Sequence, residues 1–407
     1  MVADNGGLRA SSPAGQPDVE TQDFSLVLGG PLYQLLIRSH LSDDVLGHLR
    51  ARILVLAAIA WAPLLVLTAL GGQLLGGNLT VPFLRDFDVH VRFLVALPLL
   101  IIAELVVHER LRLLVKTMRA RNLVPDDAIP RFDAALASAY RLRNSLAAEI
   151  VLVVLVYVVG VNVIWRHFSS LTTATWYATP GVDGSTLTTA GLWYGYVSLP
   201  VFQFLLCRWY FRFFIWARAC WQISRIKLDI IPTHPDRVGG LGFLSATPFA
   251  FAPLLLAHGA LLSGALANRI LYMGARLTDF AILIAVLVAW MLILVVGPLL
   301  VFAPQLARAK RAGLREYGTL AQTYVRDFDG KWVHGHAPEA ELLGTGDIQS
   351  LADLGNSLEV VRGMRALPIS KEALVQLGVI TLIPVAPLLL TMMPLKDLLK
   401  MLLGVIL

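Results

Sequence analysis

From Ile53 onward the chain alternates long uncharged apolar blocks with polar, mostly basic stretches. Seven apolar blocks fall at about residues 53–71, 89–108, 147–165, 191–212, 248–268, 280–303 and 373–393. Each is close to the ~20 residues a helix needs to cross a hydrocarbon core. This predicts an all-α, polytopic helical membrane protein of about seven spans, with one helical membrane domain over residues 31–407. The second and third blocks are the weakest, because Arg92, Glu104 and Glu149 lie inside or at their ends.

Between the blocks the periodicity is helical. Residues 109–146, 213–247 and 304–372 read as cytoplasmic helical extensions of the spans. The first is a hairpin turned at 122–130. In the last, a helix from 303 to about 329 precedes a loop and a second, amphipathic helix from about Asp347 to Met364. That second helix starts at Thr345 or Asp347 and carries Ile348, Leu351, Leu354 and Leu358 on one face. Residues 1–30 are expected to be a disordered cytoplasmic tail, and 31–41 to be an amphipathic helix lying on the membrane. Residues 398–407 are too short to cross and read as interfacial or re-entrant.

Composition agrees with a membrane protein. The chain is 57% apolar and 15% charged, with a mean hydropathy of +0.68. A soluble chain is about 45 to 50% apolar and roughly a quarter charged. Of the 34 Lys and Arg, 27 fall in alternate segments: the N-terminal stretch, 108–146, 208–247 and 304–372. Basic loops stay inside, so this alternation predicts a cytoplasmic N-terminus and an external C-terminus. The net charge of +6 then points to anionic lipid and not to nucleic acid. No cleavable leader is visible. Cys207 and Cys220, the two cysteines, are spaced to lie on nearly opposite faces of one helix, which excludes a disulfide between them.

In the fourth block, Trp193, Tyr194 and Tyr196 mark one end and Trp209, Tyr210, Phe211, Phe213, Phe214 and Trp216 the other. They read as interfacial belts, with Arg208, Arg212 and Arg218 snorkelling to headgroups. Prolines at 63, 98, 200, 253, 298, 384 and 387 fall in six of the seven blocks. Each frees a carbonyl that protein or a water-filled cavity must satisfy.

Ionisable residues at membrane depth are the first functional candidates. Glu104 and His108 share a face one turn apart, Glu149 opens the third span, and His258 is central in the fifth. These four are the expected permeation-pathway residues, and Asn162 is the expected hydrogen-bond partner of His258. In the loop LDIIPTHPDRVGGLGFL, Asp229, His234 and Asp236 are of the right chemical type for a divalent metal, the one cofactor considered. Its glycines also offer backbone N–H groups to an anion, and the plainer reading is an interfacial turn in which Asp and His cap helix ends. His334 and His336, with Asp329, Glu339 and Glu341, form a weaker second metal candidate. The tripeptide His234-Pro235-Asp236 matches a chaperone J-domain signature, but a span begins too soon after it for such a domain to fit. No nucleophile motif, phosphate loop or dinucleotide fingerprint occurs.

On the stretches PTHPDRVGGLGFL and GTGDIQSLADLGNSLEVVRGMR, the chain resembles uncharacterised bacterial multi-pass integral membrane proteins. The resemblance implies a bacterial inner membrane and no particular activity, ligand or catalytic residue. The leading functional expectation is a channel or transporter for an ion or small solute, homo-oligomeric in the lipid bilayer. The alternatives are a metal-dependent membrane enzyme acting on a lipid or polyprenyl substrate, and a scaffold or sensor that recruits a partner.

Overall fold

The computed structural model describes residues 24–30, 48–76, 79–165, 175–181, 184–335 and 345–392. The helices are α1 (Leu49–Leu70), α2 (Phe87–Ala120), α3 (Ile129–Arg143), α4 (Leu146–Leu155, continuing as the π-helix Val156–Trp165) and α5 (Thr189–Ile223). They continue as α6 (Gly242–Met273), α7 (Leu277–Leu300), α8 (Ala303–Phe328), α9 (Gly346–Arg362) and α10 (Lys371–Thr391). One antiparallel hairpin, β1 (Ala178–Gly181) and β2 (Gly184–Leu187), precedes α5. Among the described residues, six helices are long and apolar enough to cross a membrane. A bent pair, Asp126–Arg143 with Leu146–Val161 at 47°, makes the number up to seven. The expected all-α polytopic architecture is therefore present.

α2, α5 and α6 are much longer than their apolar blocks because they run on into polar sequence. α5 covers 35 residues, about 52 Å at 1.5 Å per residue and well beyond a ~30 Å hydrocarbon core. α2, α5 and α6 carry nearly half of the buried residues. Outside them, α1, α4, α7 and α10 expose Leu54, Val66, Ile150, Val151, Ile282, Val286, Ile293 and Val375. Such a band of exposed aliphatic side chains is stable in lipid and a liability in water.

Five of the seven prolines mark where the helical ladder changes type, whereas Pro63 and Pro298 lie within α-helix. Pro98 and Pro200 each follow a π turn, Arg92–Ala96 and Tyr194–Ser198. Pro253 follows a 3₁₀ stretch, and Pro384 and Pro387 lie within another. Proline lacks an N–H and clashes with the carbonyl four residues back, so the ladder must widen or tighten there. The freed carbonyls are used as contacts between helices. Ile59 O, four residues before Pro63, accepts from Trp193 Nε1 at 3.2 Å, and Ala60 O accepts from Ser198 Oγ at 2.7 Å. Tyr196 O, four before Pro200, accepts from Tyr157 Oη at 3.3 Å. At these two prolines the satisfying partner is protein, not a cavity.

The alternation of basic segments corresponds to two opposite ends. At the basic end Asp229 N donates to Leu123 O (2.9 Å), Arg365 N to Arg237 O (2.7 Å) and Lys310 Nζ to Met364 O (2.7 Å). These bonds tie the three helical extensions together. At the other end Asp86 accepts from Trp176 Nε1 and Asn268 Nδ2, both at 2.8 Å, and Tyr272 Oη donates to Arg85 O. α3, α8 and α9 fall where the sequence predicts them. The helix expected over 31–41, the tail 1–23 and the segment 398–407 lie outside the described residues.

Two expectations are corrected. Residues 24–30 are not part of a disordered tail: Phe24, Ser25, Leu26 and Val27 are buried against the helices. The inner arginines of α5 and half of its aromatic cluster do not form an interfacial belt, although Phe214 of that cluster is exposed. Trp209, Phe213 and Trp216 are core residues, Trp209 Nε1 donates to Leu100 O at 2.9 Å, and Arg208 and Arg212 are buried. Arg218 is also held by protein, donating to Ser138 Oγ at 2.6 Å. The physical reason is that a carboxylate lies on the facing helix, so the guanidinium groups need not reach headgroups.

Candidate functional site: a buried charge cluster

Glu104 on α2 is enclosed, with 4% of its side chain exposed. Arg212 of α5 donates to its Oε1 at 2.8 Å, and Arg52 of α1 donates to its Oε2. Arg208, one turn before Arg212, places one nitrogen 3.7 Å from Glu104 and another 3.7 Å from Glu149 of α4. The Arg212 guanidinium also lies 4.6 Å from the centre of the Trp209 ring. Ion pairs compensate charge at this depth only when geometry and hydrogen bonding are both good. Here one carboxylate answers three arginines.

The segment 24–30 closes the cluster from the basic end. Arg143 Nη1 donates to Ser25 O at 2.6 Å. Ser25 Oγ accepts from Val27 N and Leu28 N at 3.1 and 2.9 Å and lies 2.9 Å from His108 Nδ1. With two N–H groups already on that oxygen, the hydroxyl proton goes to His108 Nδ1. Phe24 packs between Tyr140 and Trp216. Gly30, at φ +91°, passes so close that a Cβ would sit 3.2 Å from Glu149 Oε1, which requires glycine.

Four guanidinium groups, Arg52, Arg143, Arg208 and Arg212, thus surround two carboxylates, Glu104 and Glu149. Among the described residues the surplus is positive. Moreover, Arg52 Nε and Nη1 are buried donors with no hydrogen-bond partner among the described residues. Buried donors without acceptors are rare and costly.

Of the four expected pathway residues, the structure brings Glu104, His108 and Glu149 into this cluster. It leaves His258 elsewhere. His258 Nδ1 lies 2.7 Å from Leu254 O, and Nε2 lies 2.8 Å from Tyr210 Oη. The neutral ring therefore donates along its own helix and accepts from Tyr210. The side chain of Asn162, its expected partner, is outside the described ones.

The loop candidates resolve into a capped turn. Asp236 accepts from Val238 N (2.8 Å), Gly240 N (3.2 Å) and Gly242 N (2.8 Å), and His234 Nδ1 is 3.0 Å away. Burial works to raise the Asp236 carboxyl, but the three N–H donors and His234 outweigh it and hold it below the ordinary value. Two of the N–H groups expected to bind an anion are thus taken by Asp236 itself. Asp229 does not join His234 and Asp236. No group of three or more His, Cys, Asp or Glu able to hold a metal ion occurs among the described residues. His334 lies 3.2 Å from Asp329, while His336, Glu339 and Glu341 are outside the described residues.

A cavity of about 870 Å³ opens at the basic end, where the end of α5 and the following loop meet α8. Its lining includes Trp221, Arg225, Lys227, Asp229 and Arg308. Its charge is mainly positive, like that of the buried cluster.

Sequence reasoning placed Arg208 and Arg212 at headgroups and passed over Arg52 and Ser25. The available signal was a spacing of four between Arg208 and Arg212 inside an otherwise apolar helix, which puts both on one face. No protein-family model matches the chain, no curated protein matches it, and no solved structure matches it.

Proposed function

We propose that the protein is a channel or transporter of a bacterial inner membrane, that its solute is an anion, and that the anion is received at Arg52, Arg208 and Arg212. The observation that carries this reading is the surplus, among the described residues, of buried guanidinium groups over carboxylates, with donors of Arg52 left unpartnered there. In a medium of low dielectric an uncompensated cation attracts an anion far more strongly than in water. The positive cavity near Arg225, Lys227 and Arg308 raises the local concentration of anions at one end of the molecule. Glu104 keeps the arginines in register and prevents them from binding the anion too tightly to release it.

The test is flux through purified protein in liposomes, with chloride, acetate and longer carboxylates against potassium as the cation control. Anion flux that falls in Arg208→Gln and Arg212→Gln supports the reading. Well-inserted protein that passes no anion, or passes potassium equally well, overturns it.

A further inference from the structure

We infer that the cavity at the basic end binds an anionic phospholipid, with its phosphodiester in the cavity and an acyl chain on the exposed face of α5. The site is separate from the charge cluster, because Trp221 on its wall lies nine residues beyond Arg212, about 13 Å along the helix. Arg225, Lys227 and Arg308 supply three cations and Asp229 one carboxylate. None of the four is in an ion pair with another described residue. Arg308 spends its Nε on Pro304 O, and Arg225 lies 5.0 Å from the centre of the Trp221 ring, so the terminal nitrogens of both stay available. The wall is held in shape by Gln305. Its Nε2 donates to Ser224 O and Ile226 O at 2.6 Å each, and its Oε1 accepts from Leu228 N at 3.4 Å, which fixes the loop bearing Arg225 and Lys227. A site shaped before binding loses less entropy when it is filled.

Position selects a lipid over a soluble anion. α7 has 24 residues, about 36 Å, enough to reach both edges of a ~30 Å hydrocarbon core. The cavity starts at Val301, the residue after α7 ends, which puts it at headgroup level. Trp221 is exposed there, as interfacial tryptophans are. Phe214, seven residues earlier and so on the same face of α5, is exposed nearer the bilayer centre, and Leu300 is exposed at the end of α7. Apolar surface therefore leads from the cavity into the hydrocarbon. Charge narrows the class further. A phosphodiester with an uncharged headgroup alcohol neutralises part of the surplus and still leaves the cavity positive, whereas a choline head brings a further cation to Arg225 and Lys227.

The experiment titrates the purified full chain in uncharged detergent with phosphatidylglycerol or phosphatidylcholine of equal chain length, and native mass spectrometry counts the bound lipid. The first phosphatidylglycerol is expected to bind about tenfold tighter than phosphatidylcholine. That preference disappears in the triple variant Arg225→Gln, Lys227→Gln, Arg308→Gln. It persists in Arg141→Gln, Arg311→Gln, Arg326→Gln, which removes the same charge outside the cavity. Ala309→Trp fills the cavity without altering its charge and also abolishes the preference. Equal affinity for the two lipids, loss of preference in both triple variants, or an unchanged preference in Ala309→Trp would each overturn the assignment. Inorganic phosphate at the lipid's own concentration is expected to leave the lipid bound. Displacement of the lipid by that phosphate would make the cavity a site for the free anion and overturn the lipid assignment.

Discussion

Arg212 reaches from α5 to donate to Glu104 of α2 at 2.8 Å, and neither side chain is more than 4% exposed. The pair is a lock between two of the three most buried helices. Glu104→Gln keeps the shape but leaves three guanidinium groups facing one another. It is expected to cost about 3 to 5 kcal/mol, the range for breaking a buried ion pair from one side. Thermal unfolding in detergent measures this, and Glu104→Gln combined with Arg212→Met should recover part of the loss. An unchanged midpoint in the single variant would mean that water already reaches the cluster.

The hydrogen bond between Tyr210 and His258 is a simpler case. Tyr210→Phe removes one neutral hydrogen bond inside the bundle and is expected to cost about 0.6 to 1 kcal/mol. If His258 serves only packing, anion flux stays at the wild-type rate in this variant. A fall in flux at unchanged stability would bring His258 back into the pathway.

Where α6 crosses α10, small residues set the distance. A Cβ at Gly259 would lie 2.0 Å from Thr381 O, whereas one at Gly297 of α7 meets nothing within 4 Å. Gly259→Ala must therefore push two helices apart, at about 1 to 3 kcal/mol or more. Gly297→Ala leaves stability unchanged or raises it. The two melting curves compared directly check the contrast, and similar losses in both would contradict the crossing geometry.

Asp236 gives a pH dependence with a definite sign. Its folded value lies below the ordinary carboxylate value of 3.8, so its contribution is complete above that value. The contribution is lost as pH falls below 3.8 through the folded value. Asp236→Ala removes three backbone hydrogen bonds, an expected loss of about 3 kcal/mol of local stability at neutral pH. Limited proteolysis of the 230–242 loop should show a wide gap between wild type and variant at neutral pH that closes in acid. A gap that widens in acid would reverse the sign.

The spans were legible because lipid-facing helices declare themselves by uninterrupted apolar length, as α7 and α1 do. Glu104, His108 and Glu149 could be singled out by the cost of their depth. Their arginine partners could not, because Arg208 and Arg212 border an aromatic cluster that fits an interfacial belt equally well. Only the packing of α5 on α2 distinguishes the two. The 24–30 segment was missed for a related reason. FSLVLGG is too short to be a helix, and its burial depends on Arg143, His108 and Trp216, residues far along the chain.

That last dependence also sets an order of assembly. The seat for Phe24 and Ser25 is built from residues of α2, α3 and α5, all of which leave the ribosome after the segment they receive. The earliest-made part of the described chain is therefore among the last to be secured. Until it docks, the charge cluster is open at the basic end, so closing that end records that the bundle beneath it is complete.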